Sequence, residues 1–421
     1  MPEKESKACQ GKSRSPARSS DRTSYHGKYV KVSHSLKRAM KQRLQELKNF
    51  QYDFKVSLSQ KNHRAFVPPR LVEVEITNAC NLKCIMCDRW KWVKEEKSLI
   101  GNFTTGRLFA LFEELSALGV KDILLSGGEP MLRKDFASLL KKISSLKMSV
   151  NLFTNGTLMN REKAEALASS GSTVFFSIDG LKETHDKIRG VKNTFDKAVR
   201  GIEELNNARK QRRTKNRIII NFTIQRDNVS EVFPIFKVAN KIGVDVVTYN
   251  LVAGRPEIAP TYEHVQNLKA GFAKIAKHAP FLHTLAVPGE IVQALIDGRI
   301  PMEDVEAGLP ALTLFKKNPV PCIAAYKTSF IDSFGRVYPC CFIYSDNKAY
   351  AEFETQRSRF CMGSVLEKSF SEIWQNAKYN KFREETDPVN MDDLGAFCGQ
   401  CYEYYSFRHQ NLFSKLLVTT S

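Results

Sequence analysis

From residue 71 onward, short β-branched runs alternate with amphipathic stretches, and that alternation leaves few folds open. It is the pattern of βα units building a parallel sheet. Strands are expected at 71–77, 122–127, 149–155, 173–179, 217–225 and 244–250. Helical stretches near 105–118, 135–146, 160–169, 194–207 and 231–242 lie between them, each long enough to cross over in the right-handed sense. Six such units predict an α/β fold, a partial (β/α)6 TIM-like barrel that stays open.

Beyond the sixth strand the pattern changes. Two more helical stretches, 262–278 and 289–296, act as a connector, and the Pro-bearing segment 310–321 reads as a linker into a small Cys-rich domain. That tail is expected to open with a hairpin, 327–332 and 336–338 flanking Ser333, Phe334 and Gly335, and to continue with a helix near 370–383. The expected division is a basic extension at 1–64, a core barrel at 65–300, a linker at 301–321, the Cys-rich domain at 322–405 and a tail at 406–421.

Composition sets the broad class. With 42% apolar residues in 421 the chain can bury a real core, and it has no run approaching the roughly 18 apolar residues of a membrane helix. The N-terminus lacks the apolar stretch of a signal peptide, so a soluble, cytoplasmic protein is expected. The net charge of +19 is uneven, because residues 1–70 carry 17 Lys/Arg against 5 Asp/Glu, a net of +12. Residues 1–30 read as disordered and 36–54 as a basic amphipathic helix. A solvated tail or a helix packed on the barrel is the plain reading; contact with nucleic acid, anionic lipid or an acidic carrier protein is the alternative.

Ten cysteines in a chain without an export signal suit metal better than disulfides. Cys80, Cys84 and Cys87 form a C-x3-C-x2-C run directly after the first strand. In barrels of parallel strands the reactive face lies at that carboxyl end. Three thiolates saturate three irons of a cubane and leave the fourth without a protein ligand, open to substrate. A structural zinc loop would need a fourth ligand, and no nearby Cys or His offers one. A second set, Cys322, Cys340, Cys398 and Cys401, lies in the tail; Cys9, Cys341 and Cys361 are left over.

The C-x3-C-x2-C run resembles the signature of the radical S-adenosylmethionine (SAM) superfamily, and the likeness extends over residues 71 to about 250. The resemblance implies that SAM chelates the open iron of a 4Fe-4S cluster and is cleaved by its electron to a 5'-deoxyadenosyl radical. Ser126-Gly127-Gly128-Glu129-Pro130 is similar to the family's GGE segment, where Gly127 and Gly128 let backbone approach SAM and Glu129 pairs with its ammonium. The resemblance also assigns SAM contacts to Asn155, Ser177, Asp179 and Arg189. Met86 stands where many members have an aromatic residue.

The tail is similar to the SPASM auxiliary-cluster domain: Cys322 is followed by twelve residues, Gly335, four residues and Cys340, with the Cys398-Gly-Gln-Cys401 pair after a further 57. The full SPASM domain has seven cysteines, so four suggest the shortened Twitch form with one auxiliary 4Fe-4S cluster. Zinc is the other reading, and Cys341 competes with Cys340 as ligand. The expected function is a radical SAM oxidoreductase that abstracts a substrate hydrogen and passes an electron to the auxiliary cluster, acting on a small polar or sugar-like metabolite. A reductant such as flavodoxin or ferredoxin is the implied partner. The alternatives are a peptide maturase forming a thioether or carbon crosslink and, from another class, a non-enzymatic iron-sulfur or RNA-binding scaffold.

Overall fold

The computed structural model describes residues 22–87, 89–91, 103–252, 255–303, 322–341 and 358–386. Cys9, Cys398, Cys401, most of the expected linker and the 406–421 tail lie outside the described residues. Two compact units divide the chain, one ending at Lys55 and the other beginning at Val56. Helix α1 (Arg22–Lys61) starts earlier than expected, so residues 22–30, read from sequence as disordered, are helical. In its first-unit part Met40, Leu44, Leu47 and Phe54 are exposed, and their spacing puts them on one face. Among the described residues no helix is long and apolar enough to cross a membrane.

The second unit follows the expected alternation. Strand β1 (Leu71–Thr77) leads to α2 (Thr105–Leu118), β2 (Asp122–Gly127), α3 (Phe136–Ser145), β3 (Ser149–Thr154) and α4 (Arg161–Ser170). Then come β4 (Thr173–Ser177), α5 (Lys182–Arg189), α6 (Thr194–Arg212), β5 (Arg217–Ile224), α7 (Val232–Lys241) and β6 (Val246–Leu251). Helix α2 shows how locally this is written. Thr104 caps it by accepting from the Arg107 N–H at 3.2 Å, Gly119 ends it at φ 103°, and Leu108, Leu111, Phe112 and Leu115 bury one face. Each of those side chains contributes about 1.5–3 kcal/mol of burial.

The remaining elements are α8 (Tyr262–His278), β7 (Leu285–Pro288), α9 (Glu290–Ile296), α10 (Ala324–Lys327), β8 (Thr328–Ile331), β9 (Arg336–Tyr338), β10 (Gly363–Ser364), α11 (Phe370–Gln375) and α12 (Ala377–Glu385). One ten-stranded sheet runs in the order β10-β9-β8-β1-β2-β3-β4-β5-β6-β7. Strands β1 to β7 are parallel neighbours, β8 pairs parallel with β1 through Leu71↔Thr328, and β9 and β10 return antiparallel.

Four features depart from the sequence reading. Strand β7 falls between the two connector helices, where a four-residue run ending in proline gave no strand signal. Helix α5 stands between β4 and α6, where no element was expected. The tail hairpin β8–β9 extends the barrel sheet beside β1. The expected helix at 370–383 is two helices, because Asn376 ends α11 in extended backbone and caps α12 by accepting from the Tyr379 N–H at 2.7 Å.

Strand alternation divides the residues between two faces. Phe175, Ile219 and Val246 pack with Phe153 and Val287 on the concave side, with the Phe153 and Phe175 rings 4.8 Å apart. Tyr249 points the other way, into the helical layer, donating its hydroxyl to the Val232 carbonyl at 2.9 Å and meeting Phe272 edge-on. It therefore does not line the concave face, whereas its neighbours Thr248 and Asn250 do.

Candidate functional site

The loop that carries Cys80, Cys84 and Cys87 is held from three directions, largely by backbone. On one side Gly128 N–H donates to Thr77 O and Glu129 N–H to Ala79 O, both at 2.8 Å. An approach this close needs glycine, since a Cβ on Gly128 would lie 2.1 Å from Ala79 O and one on Gly127, at φ 137°, 2.0 Å from Thr77 O. On the other side the end of α5 meets the loop. Lys83 N–H donates to Arg189 O at 3.1 Å and Ile85 N–H to Ile188 O at 3.0 Å. The last carbonyls of a helix have no partner within it, and here the cysteine loop supplies one. A third tie is polar: Asn155 Nδ2 donates to Asn81 Oδ1 at 2.9 Å and Asn81 Nδ2 to Thr157 Oγ1 at 2.9 Å.

The expected SAM-contacting residues cluster around this loop. Glu129 is completely buried; its Oε1 accepts from Met131 N–H and Thr154 Oγ1, and its Oε2 from Asn155 N–H at 2.7 Å. Burial pushes its carboxyl up, and those donors pull it back. Three donors leave a carboxylate capacity for one more, which is what an ammonium would take. Asn155 also accepts from Thr157 through Oδ1, so its side chain is committed to shaping the turn after β3. Ser177 ends β4 on the concave side, in register with Asn221 of β5.

Asp179 and Arg189 form a buried ion pair, with Nη2 2.5 Å from Oδ2. Asp179 Oδ1 accepts from Thr223 N–H at 2.8 Å, and Arg189 Nη1 donates to Cys84 Sγ at 3.6 Å. The guanidinium thus lies between a carboxylate and a thiol that becomes a thiolate on metal binding. His185 Nδ1 accepts from the Asp179 N–H at 3.1 Å, and burial, with Arg189 adding, lowers its pKa to about 3, so it is neutral. Helix α5, Asn81, Thr157 and His185 were not singled out from sequence. Nothing marks Asn81 or Thr157 in the chain alone, because their role rests on contacts more than seventy residues apart.

The donor set suits an iron-sulfur cubane. Cys84 is buried, Cys80 and Cys87 are half-buried, and burial pushes the Cys80 thiol up to about 12 and Cys84 up as well. Those protons must leave as metal binds. Among the described residues no three thiol, imidazole or carboxylate groups lie close enough for a single ion. Thiols that bind separate irons of a cubane need not.

In the tail, Cys322 N–H donates to Thr386 O at 3.3 Å, just past α12. Cys340 follows β9. Tyr379 is buried, its phenol held above the usual value by burial first, with Cys340 and Cys322 adding and Arg383 opposing. Cys341 is turned elsewhere, toward Glu73 of β1. Cys361 donates to the Gly363 carbonyl at 3.5 Å. Trp374 anchors this region to the barrel, donating its indole N–H to Val67 O at 3.0 Å, while Gln375 Nε2 donates to Ala65 O at 2.9 Å.

Comparison with known proteins agrees with this arrangement. A profile described as the Radical SAM superfamily matches residues 74–232, and one described as an iron-sulfur cluster-binding domain, SPASM, matches residues 322–402. The chain is 30% identical over 307 residues to the Fe-coproporphyrin III synthase of Methanosarcina barkeri, covering 71% of this chain and 72% of the relative. It is 28% identical over 278 residues to PqqA peptide cyclase of Gluconobacter oxydans, covering 65% and 70%. Its fold is similar to that of Streptococcus suis SuiB, solved with S-adenosylmethionine bound, with TM-score 0.58 and 17% identity over 86% of this chain and 79% of that one. The two profiles bring with them 4Fe-4S clusters and SAM as cofactors. With its three-thiol loop at the carboxyl end of β1 and its glycine-lined turn after β2, the chain belongs to the radical SAM superfamily, as an enzyme with a C-terminal SPASM iron-sulfur domain.

Proposed function

We propose that this enzyme removes a hydrogen atom from a polar substrate held on the concave face of the barrel and passes the remaining electron to the auxiliary cluster. The observation that carries the reading is the divergence of two adjacent residues. Cys340 and Cys322 are both within electrostatic reach of Tyr379, while Cys341 bonds to Glu73 on the concave face of β1. Because β8 pairs directly with β1, the tail thiols and the substrate face are neighbours.

SAM bound at the first cluster supplies the radical that takes the hydrogen atom, leaving 5'-deoxyadenosine. The protein's part is to bind, orient and deprotonate. On β4 to β6 the concave face offers Ser177, Asn221, Thr248 and Asn250, with Asn250 Nδ2 donating to Asn221 Oδ1 at 2.7 Å and Thr248 Oγ1 to the same oxygen at 3.2 Å. On β1 it offers Glu73 and Glu75, the latter paired with Arg89 at 2.5 Å. Burial pushes Glu73 above the ordinary carboxylate value, with Ser126, Arg89 and Cys341 opposing, which brings a general base nearer to neutral pH. With both cofactors bound, the substrate would give up a hydrogen atom to SAM's radical and one electron to the auxiliary cluster while Glu73 takes one proton, a net two-electron oxidation.

Hydroxyl and amide groups opposite an acidic wall suit a neutral or cationic hydrogen-bonding molecule and oppose a polycarboxylate such as iron coproporphyrin. A small polar metabolite fits, and a peptide segment is the second reading, favoured by the likeness to PqqA peptide cyclase. The test is to reduce the enzyme with SAM and deuterated candidates (amino sugars, short peptides, iron coproporphyrin) and follow deuterium into 5'-deoxyadenosine. Transfer from a sugar or peptide supports the reading and selects between its forms. Transfer only from iron coproporphyrin overturns the substrate class, and no 5'-deoxyadenosine under any condition overturns the enzymatic reading.

A further inference from the structure

A guanidinium with no carboxylate partner among the described residues sits inside the tail. Arg383, on α12, is 1% exposed and lies face-on to aromatic rings, its Cζ 4.2 Å from the Tyr379 centroid, 4.4 Å from Trp374 and 5.7 Å from Tyr326. Its Nε donates to Ala325 O at 3.0 Å, and Nη1 donates to Trp374 O at 3.0 Å and to Asn380 Oδ1 at 2.8 Å. Nη2 is buried with no partner among the described residues. Burial lowers the pKa to about 10, with Tyr379 and Tyr326 opposing, so the group still carries its charge at neutral pH. Burying a charge is costly unless it is paired and hydrogen-bonded, and no carboxylate among the described residues answers this one.

Chain position and hydrogen bonds link Arg383 to the tail thiol Cys322. Ala325, which accepts from Nε, is three residues past Cys322. The Cys322 N–H is bonded to Thr386, less than one turn beyond Arg383, and Thr386 Oγ1 donates back to Arg383 O at 3.0 Å. Tyr379 is the shared neighbour: its ring lies under the guanidinium, and its phenol is within the electrostatic reach of Cys340 and Cys322. A 4Fe-4S cluster held by four thiolates is an anion in its oxidised form and gains a further negative charge on reduction. Its potential follows net charge, hydrogen bonds to sulfur and burial.

We propose that Arg383 is the fixed counter-charge of the auxiliary cluster, a positioning residue that makes the cluster easier to reduce and so a better acceptor for the substrate's electron. The inference rests on the auxiliary-cluster reading given above. A cation beside an acceptor that gains negative charge favours the reduced form, and the aromatic cage keeps that cation from turning away to solvent. The three rings and the buried position also exclude water, which raises the effect of the charge.

The test uses the full chain with Cys80→Ala, Cys84→Ala and Cys87→Ala, so that any iron reports on the tail alone. The midpoint potential is followed by electron paramagnetic resonance in this background and with Arg383→Lys or Arg383→Gln added. Arg383→Gln should shift the reduction equilibrium at least tenfold toward the oxidised form, about 59 mV for one electron, while Arg383→Lys stays near the parent. Iron retained with the Gln and Lys potentials unmoved, or with Lys shifted as far as Gln, overturns the counter-charge role and leaves the auxiliary cluster standing. Loss of iron from Gln but not Lys supports the role, whereas unfolding of both by circular dichroism overturns it in favour of packing. No iron in the triple-alanine parent overturns the auxiliary-cluster reading itself.

Discussion

The two thiol-bearing regions are held by different means. Around Cys80, Cys84 and Cys87 the ties are largely main chain, from the glycine turn after β2 on one flank and the carbonyls ending α5 on the other. Beside Cys322 and Cys340 the main-chain ties, such as Cys322 N–H to Thr386 O, are joined by a side-chain cage of Trp374, Tyr379 and Tyr326 closed on one buried cation. A loop fixed by backbone tolerates exchange of its side chains but no displacement of its path. A site fixed by side chains has the reverse sensitivity. The difference suits a loop that must keep an open iron at a constant position, and a tail site whose task is electrostatic.

The sharpest way to break this comparison is Gly128→Ala. With a Cβ 2.1 Å from Ala79 O the loop must move, so the variant should lose the iron of the first set and all 5'-deoxyadenosine formation while the tail keeps its iron. Glu129→Gln comes next. The amide would turn an N–H₂ toward a donor, either Asn155 N–H or Met131 N–H and Thr154, at a cost of roughly 1–3 kcal/mol. Iron should be retained and SAM bind more weakly by equilibrium dialysis; unchanged affinity would remove Glu129 from the SAM site.

His185 sharpens the same contrast through pH. Its folded pKa is lowered to about 3 against an unfolded value near 6.5, so as pH falls below about 6.5 the unfolded chain takes a proton that the native one refuses. Stability contributed by the neutral ring is therefore lost on acidification, at about 1.4 kcal/mol per pH unit. Chemical denaturation should show the wild type losing about 2 kcal/mol more than His185→Gln between pH 7 and pH 5, the glutamine oxygen replacing Nδ1 as acceptor. Equal losses would mean that the folded ring takes up its proton as readily as the unfolded one. The smallest effect is expected from Asn81→Ala, which removes one polar tie but none of the backbone ones and should cost about 1 kcal/mol with iron content unchanged.

Much of this architecture was legible in the chain. Strands β1 to β6 announce themselves as β-branched runs, and the three-thiol loop and glycine turn fall at their carboxyl ends, where a parallel barrel keeps its chemistry. Helix α5 was not legible because only His185, Ile188 and Arg189 of its eight residues are buried, too few for an apolar stripe. Strand β7 is too short, and the pairing of β8 with β1 joins residues more than two hundred positions apart, which no local pattern encodes. Arg383 looks like any lysine-rich helix's arginine in the sequence; only its burial distinguishes it.

The account stands most directly on the number of clusters. Iron and sulfide content with Mössbauer spectra, after anaerobic reconstitution, should give about eight irons in the wild type and about four in the Cys80→Ala, Cys84→Ala, Cys87→Ala variant, as two cubane sites require. About four irons falling to none, with zinc in the tail, would contradict it: SAM cleavage would survive, but the electron acceptor, and with it the net oxidation, would not.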